Sequence, residues 1–282
     1  MAIDLHGKPI VITGASSGIG RELAIQCARA GMPVAVGARR LDRIQALVRE
    51  IISLGGRAIA VACDVDKPAD SVTLIDRCVE EFGSVYAVVA NAGFGLEGGV
   101  LDVTDEQYHS IFRTNFFGTL ALIRPGVASM QKHGAGVGHV IINSSCVSKM
   151  GIPNHSAYSA SKAMQDHIGR ALRVELDGTG IRVSTVHPIG VATEFSETTE
   201  RHSGGVRKAV RTPESMKQTP EMVARLIVGC LRKPRGEVWT HTPTRLGMAL
   251  LTAFPGLCDW YLARRQRKQG RTAHDRSARP LT

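Results

Sequence analysis

Seven short apolar runs separated by stretches of helical periodicity dominate the chain. They are PIVIT (9–13), PVAVGA (33–38), RAIAVAC (57–63), VYAVVA (85–90), GHVIIN (138–143), IRVSTVH (181–187) and GEVWT (236–240). None alternates strictly between apolar and polar residues, the pattern of strands buried on both faces. Helical patterns fill 19–30, 41–54, 69–82, 105–123, 156–177 and 221–231. Strand and helix in alternation make βαβ units, and these build a parallel sheet. The expected fold is α/β: a single Rossmann-type, doubly wound parallel sheet of about seven strands with helices on both faces. With 282 residues, 43% of them hydrophobic, one such unit can hold most of the chain. We divide it into a catalytic domain at 1–245 that includes a substrate loop near 190–216, an apolar segment at 246–263, and a basic tail at 264–282 expected to be disordered.

Several classes are disfavoured. The six cysteines form no Cys-x-x-Cys pair, so neither a disulfide framework nor a zinc site is indicated, and no metal is expected. Residues 1–8 carry Asp4 and lack an apolar h-region, which argues against a secretory signal and for a cytoplasmic location. The formal charge of +10 is concentrated at the end: seven Lys/Arg against Asp275 lie between Arg264 and Thr282. A solvated terminus or contact with anionic lipid fits that distribution, and nucleic acid does not.

Thr13-Gly14-Ala15-Ser16-Ser17-Gly18-Ile19-Gly20 joins the first run to the first helical pattern. Gly14 permits a tight turn, Gly18 lets the backbone approach a pyrophosphate, and Gly20 lets the helix pack closely, while Ser16 and Ser17 add donors at a helix N-terminus. The spacing is Gly-x-x-x-Gly-x-Gly, not the commoner Gly-x-Gly-x-x-Gly. After the second run, where a carboxylate would bind the ribose of NAD, stand Arg39 and Arg40. A guanidinium fork suits a 2′-phosphate, so NADP(H) is expected.

Tyr158 and Lys162 are spaced to share one helix face, with Ser145 upstream at the end of the fifth run and Asn115 earlier still. A phenol titrates near ~10, and a neighbouring ammonium favours its ionised form. Tyr158 can then give or take the proton of a carbonyl or alcohol while Ser145 hydrogen-bonds the same oxygen.

Together these residues resemble the short-chain dehydrogenase/reductase family from about Lys8 to Thr240, in its shorter, reductase-like branch. TGASSGIG at 13–20, Asn91-Ala92-Gly93, Asn115, Ser145 and YSASK at 158–162 occur in family order. The resemblance implies Tyr158 as catalytic acid/base and Lys162 as its electrostatic partner and a ligand of the nicotinamide ribose. It further implies Ser145 as substrate-orienting donor and Asn115 in a water-linked proton relay. It assigns Asp64 and Val65 to the adenine, Asn91 and Gly93 to the adenosine ribose, and Pro188, Ile189 and Thr193 to the nicotinamide side. Pro188-Ile189-Gly190 departs from the family's usual Pro-Gly, which puts the contacts around Thr193 in doubt.

The function so implied is hydride transfer between NADP(H) and a carbonyl or secondary alcohol, with an apolar ketone, aldehyde, steroid-like or lipid-like substrate. The alternatives are a non-catalytic NADP(H)-responsive binding protein and an epimerase or dehydratase of the same family. The stretch 194–216 reads as a mobile lid, and Cys146 as a packing thiol. Residues 246–263 contain Trp260 and Tyr261 but are broken by Pro255-Gly256, so they suit helices that pack on the domain or lie peripherally on a membrane. A homodimer or homotetramer through the helices near 105–123 and 156–177 is a further implication of the resemblance.

Overall fold

All seven apolar runs become strands: β1 (Ile10–Thr13), β2 (Val34–Ala38), β3 (Ala58–Ala62), β4 (Ala87–Ala90), β5 (Gly138–Asn143), β6 (Ile181–His187) and β7 (Glu237–Trp239). They form one parallel sheet in the order β3-β2-β1-β4-β5-β6-β7. The computed structural model describes residues 2–134, 136–204, 212 and 216–277, with side chains described as far as Arg267. The expected Rossmann-type fold is therefore what the chain adopts.

Both faces of the sheet are covered. Along β1, Ile10 and Ile12 point into one core and Val11 into the other, as the two-residue period of a strand requires. Helices α1 (Gly18–Arg29), α2 (Leu41–Ser53) and α8 (Pro220–Arg232) close the first face through Leu23, Ile44, Leu47, Val223 and Ile227. The second is closed by α3 (Pro68–Phe82), α5 (Gly118–His133) and α6 (Ser156–Glu175), with Leu74, Leu122 and Met130 at its centre. Strand order reverses between β1 and β4, and the crevice beyond their carboxyl ends is where an open α/β sheet binds its ligand.

The helical stretch expected at 105–123 differs in two ways. A capping box between Thr104 and Gln107 starts α4 (Asp105–Phe112), but one wide π turn, Arg113–Phe117, separates α4 from α5. The helix then continues to His133, past the expected end at Ile123 and through Pro125. A proline in a helix interior costs ~3 kcal/mol, whereas each fully buried large apolar side chain contributes about 1.5–3 kcal/mol. Leu122, Ile123 and Met130 are buried on the sheet, and Gly126 lies against Val88, so burial wins.

Part of the expected lid forms α7 (Phe195–His202), with Thr199 and Ser203 buried; residues 205–211 and 213–215 lie outside the described residues. The apolar segment after β7 makes two helices, α9 (Thr242–Ala253) and α10 (Pro255–Ser277), bent by 114°. Phe254 precedes a proline, leaves the helical region at φ −125° and makes the break. No helix residue of α9 is buried, and Thr252 Oγ1 donates to the Lys149 carbonyl at 3.3 Å. The backbone of α10 runs past the boundary drawn at Arg264 as far as Ser277, because no proline intervenes before Pro280.

Candidate active site

The loop after β1 is closed in by glycines that tolerate no side chain. Gly14 and Gly18 have φ of +66° and +56°, where an L residue is strained. A methyl on Gly14 would lie 2.8 Å from the Ala92 Cα, and one on Gly20 2.5 Å from the Gly14 carbonyl oxygen. Gly18 faces Thr193, whose Cγ2 would lie 3.0 Å from an added Cβ. Ile19 packs against the first core and holds the start of α1 in place. The first turn of α1 carries no acidic residue, so its N–H groups present an uncompensated positive end to an anion. Such a cradle fits a pyrophosphate.

Asn91 ties this loop to the middle of the sheet. Its Nδ2 donates to the carbonyls of Thr13 at 3.0 Å and Gly14 at 3.3 Å, while its Oδ1 accepts from Asn143 Nδ2 at 2.8 Å. Asp64 and Val65 stand past β3: the Asp64 N–H donates to Asp70 at 2.9 Å, and Val65 is buried against Gly118. Pro188 accepts the Cys146 N–H at 3.1 Å. Ile189 is buried and has no positive φ, whereas Gly190 beside it takes φ +44°.

The two arginines after β2 separate. Arg39 is exposed, whereas Arg40 lies across the loop, with its Nη2 donating to Ser16 Oγ at 2.8 Å and Ser17 Oγ at 3.0 Å. Its Nη1 donates to Glu194 at 2.9 Å, and Arg43 holds the other oxygen of that carboxylate at 2.7 Å. Hydrogen bonds from both arginines hold the Glu194 carboxyl below its ordinary range. Arg43 and Glu194 also line an open cleft of about 460 Å³ beside Ser16 and Gly18, remote from Tyr158. Neither residue was singled out from the sequence. Arg43, one helical turn beyond Arg40, was a usable signal; Glu194 is 154 positions from Arg40 and was not.

On the other side of the crevice α6 carries Tyr158 and Lys162, both buried, with the Lys162 Nζ 5.7 Å from the phenol ring centroid. Burial pushes the Tyr158 phenol up, and the hydrogen bond with Ser145 opposes it. Burial also lowers the Lys162 ammonium to about 7. The expected lowering of Tyr158 by Lys162 does not appear: burial dominates and holds the phenol in its protonated form. Ser145 lies two residues past β5 and accepts the Val147 N–H at 3.3 Å, opening a short 3₁₀ turn, Cys146–Lys149. Burial holds Cys146 protonated, up to about 11, as suits a packing thiol.

Asn115, on the π turn, is fully buried and does not point its side chain at Lys162. It pins the loop after β4 to α6, accepting from the Phe94 N–H at 3.0 Å and donating to the Phe94 carbonyl at 2.9 Å and Ser161 Oγ at 3.0 Å. Gly93 leaves room for this: a Cβ there would meet Asn115 Oδ1 at 2.8 Å. Lys162 donates instead to the Asn143 carbonyl and to Gln165 Oε1, both at 2.9 Å.

Tyr158 stands in a small apolar cluster apart from the two main cores, with Phe94, Leu96, Val103, Ile111 and Ala157 and, at its edge, Val147 and Phe195. The Phe195 and His155 rings lie 5.5 and 4.9 Å from that of Tyr158. Behind Ser145, Asp166, His187 and Glu237 come within 4.8 Å of one another, although their spacing gave no sign of a set. The Lys149 ammonium sits among them, 2.6 Å from Asp166 and 3.2 Å from Glu237, and answers their charge.

Residues 8–204 match the family described as short chain dehydrogenase. An uncharacterized oxidoreductase of Myxococcus xanthus is 37% identical over 198 residues, covering 69% of this chain and 76% of its own. Among solved structures, an alcohol dehydrogenase from the archaeon Thermococcus sibiricus, complexed with 5-hydroxy-NADP, is 27% identical. Its TM-score is 0.72, over 82% of this chain and 95% of that one. A short chain dehydrogenase/reductase from Burkholderia phymatum in complex with NAD shares the fold at 23% identity and TM-score 0.78, over 90% and 96% of the two chains.

Proposed function

Because the chain belongs to the short chain dehydrogenase family, we propose that it is an NADP(H)-dependent oxidoreductase reducing an apolar ketone or aldehyde, or oxidising the matching alcohol. Oxidoreductase activity with a nicotinamide cofactor follows from the family itself. The choice of NADP(H) is supported by Arg40 across the glycine loop and Arg43 beside it. The apolar substrate is supported by the wall of Phe94, Leu96, Val147 and Phe195 around the phenol.

When bound, the cofactor supplies the hydride. Gly14, Ser16, Ser17, Gly18, Ile19 and Gly20 would hold its pyrophosphate, and Arg39 and Arg40 its 2′-phosphate. Asp64 and Val65 would line the adenine, Asn91 and Gly93 the adjoining ribose, and Pro188, Ile189 and Thr193 the nicotinamide side. Ser145 Oγ donates to the substrate oxygen and orients it. Tyr158 Oη gives its proton to the alkoxide that develops there, and the Lys162 ammonium steadies the resulting phenolate. Asn115 keeps the loop and α6 at fixed separation.

The observation that carries this reading is a buried phenol that hydrogen-bonds Ser145 and is enclosed by an apolar wall. A panel of ketones and aldehydes assayed for NADPH consumption, wild type against Tyr158→Phe, tests it. Turnover lost with Tyr158→Phe while NADPH still binds is the expected result; equal inactivity of both with tight NADPH binding would favour a binding protein.

We place the enzyme in the cytoplasm, with a peripheral contact to anionic lipid through α9 and α10. Among the described residues no single helix is long and apolar enough to cross a membrane. Yet Leu246, Leu250, Phe254 and Trp260 are 66, 51, 58 and 57% exposed along the bent pair. Arg264 and Arg265 stack on Trp260 and Tyr261 at that edge. An isologous contact between two copies would bring two arginine-rich edges together, whereas anionic headgroups neutralise them. Sedimentation with phosphatidylserine-containing vesicles, abolished by Leu250→Gln with Trp260→Gln and weakened by salt, is expected. A dimer lost in the same variant without vesicle binding would refute it. Exposed Phe117 and Val174 support self-association at a separate face, beside α4–α5 and α6.

A further inference from the structure

One turn beyond Lys162 on α6 stands Gln165, a residue with no exposed surface. Its Oε1 accepts from Lys162 Nζ at 2.9 Å, and its Nε2 donates to the Asn115 carbonyl at 2.6 Å and to Thr119 Oγ1 at 2.7 Å. The orientation of the amide is dictated by its partners, because an ammonium has only donors and a carbonyl only accepts. The π turn makes the contact possible: it loosens the helical ladder at Asn115, and the carbonyl there takes Gln165 Nε2 and the Thr119 hydroxyl as partners.

We propose that Gln165 is a positioning residue whose amide ties the Lys162 ammonium to the Asn115 carbonyl and so sets where that ammonium sits and when it titrates. This rests on the roles proposed for Tyr158 and Lys162. A carboxamide neither gains nor loses a proton near neutral pH, so it bonds both neighbours without relaying between them. Two of the three Lys162 donors are committed, to Asn143 and Gln165; the third has no acceptor among the described residues and opens towards Gly93, where an added Cβ would be 3.7 Å away.

The groups around Nζ are Tyr158 on α6, Asn143 at the end of β5, Gly93 after β4, and Asn115 and Thr119 on the π turn and α5. Of these only Tyr158 titrates, and among the described residues no carboxylate bonds to Lys162. Changes at position 165 should therefore move the Lys162 titration in opposite directions. Gln165→Leu removes the acceptor and lowers its midpoint, whereas Gln165→Glu adds a counter-charge and raises it, by about one pH unit each way.

The test uses the full-length protein with competitive acetic anhydride labelling of Lys162 across pH, read by peptide mass, which needs no turnover. In parallel, NADPH-dependent reduction of acetophenone and decanal is followed against pH in wild type, Gln165→Leu, Gln165→Glu and Tyr158→Phe. We expect the two labelling midpoints to move apart, and Gln165→Leu to lose about tenfold to a hundredfold in rate, with its alkaline limb displaced downward. Coincident midpoints in wild type and both variants would overturn the proposal, including in whichever variant alone remains folded. Tyr158→Phe separates the two readings. Full activity there removes the proposed chemistry, while displaced midpoints would still assign Gln165 its hold on Lys162.

Discussion

Replacing Arg40 by alanine gives the most direct test of cofactor choice, and its magnitude follows from the structure. Arg40 reaches Ser16 and Ser17 over the glycine loop, so a 2′-phosphate seated there meets its guanidinium. Charge-assisted hydrogen bonds of this kind contribute roughly 1.5–3 kcal/mol. The Arg40 side chain is 41% exposed, and screening puts the value near the lower end, about a tenfold weakening of NADPH. NADH lacks the phosphate and should change little. Glu194 supplies the opposite perturbation, since its carboxylate now engages both Arg40 and Arg43. Two unit charges ~5 Å apart in water interact by about 0.8 kcal/mol, so Glu194→Gln should tighten NADPH about fourfold by removing a like charge and freeing two cations. Dissociation constants for NADPH and NADH, from fluorescence titration of wild type and both variants, provide the measurement. Equal losses for both cofactors in Arg40→Ala, or weaker NADPH binding in Glu194→Gln, would refute the reasoning, as would a wild type that prefers NADH.

Tyr158→Phe should lower kcat by about 10²- to 10⁴-fold with little change in NADPH affinity, the loss typical of a removed proton donor; steady-state kinetics on a turned-over ketone decide it. Gly20→Ala places a methyl 2.5 Å from a backbone oxygen and should cost about 1–3 kcal/mol of stability, seen in urea unfolding, with weakened NADPH binding. His139 is buried, and burial, with a smaller effect of Arg182, lowers it to about 4 from an ordinary 6.5. The unfolded chain then binds the extra proton first. Its contribution is complete above about pH 6.5 and disappears as the pH falls towards 4, amounting to at most about 3 kcal/mol. His139→Gln should flatten that part of the pH–stability curve, and an unchanged slope in urea titrations at pH 7.5 and 5 would count against it.

The strands were legible because each run from PIVIT to GEVWT is short and largely apolar; β1, β2, β4 and β5 are buried throughout and β6 nearly so, whereas the edge strands β3 and β7 are only partly covered. Glycine spacing placed the loop after β1, because Gly14 and Gly20 contact backbone directly and leave no choice of residue. Contacts made across long separations were not legible. Glu194 meets Arg40 through the packing of α7, and Gln165 meets Asn115 through a widened turn that no propensity announces. The passage of α5 through Pro125 was hidden for a similar reason: a local rule gave way to burial on a sheet whose other strands lie far off in sequence. The protonation of Tyr158 depends on how thoroughly its ring is enclosed, which no spacing of tyrosine and lysine conveys.

The π turn at Arg113–Phe117 also sets a phase. Ile111 and Leu122 are eleven residues apart, and at 3.6 residues per turn they would sit roughly 20° from each other on a straight helix, serving a single neighbour. One additional residue rotates everything after it by roughly 100°. Ile111 consequently joins the wall around Tyr158, while Leu122 joins the core under the sheet, so one rod has two clients. Deleting any one residue from 113 to 117 would leave ten steps between them, roughly 80° apart on a straight helix, so the two faces would keep their separation and only the widened turn would be lost.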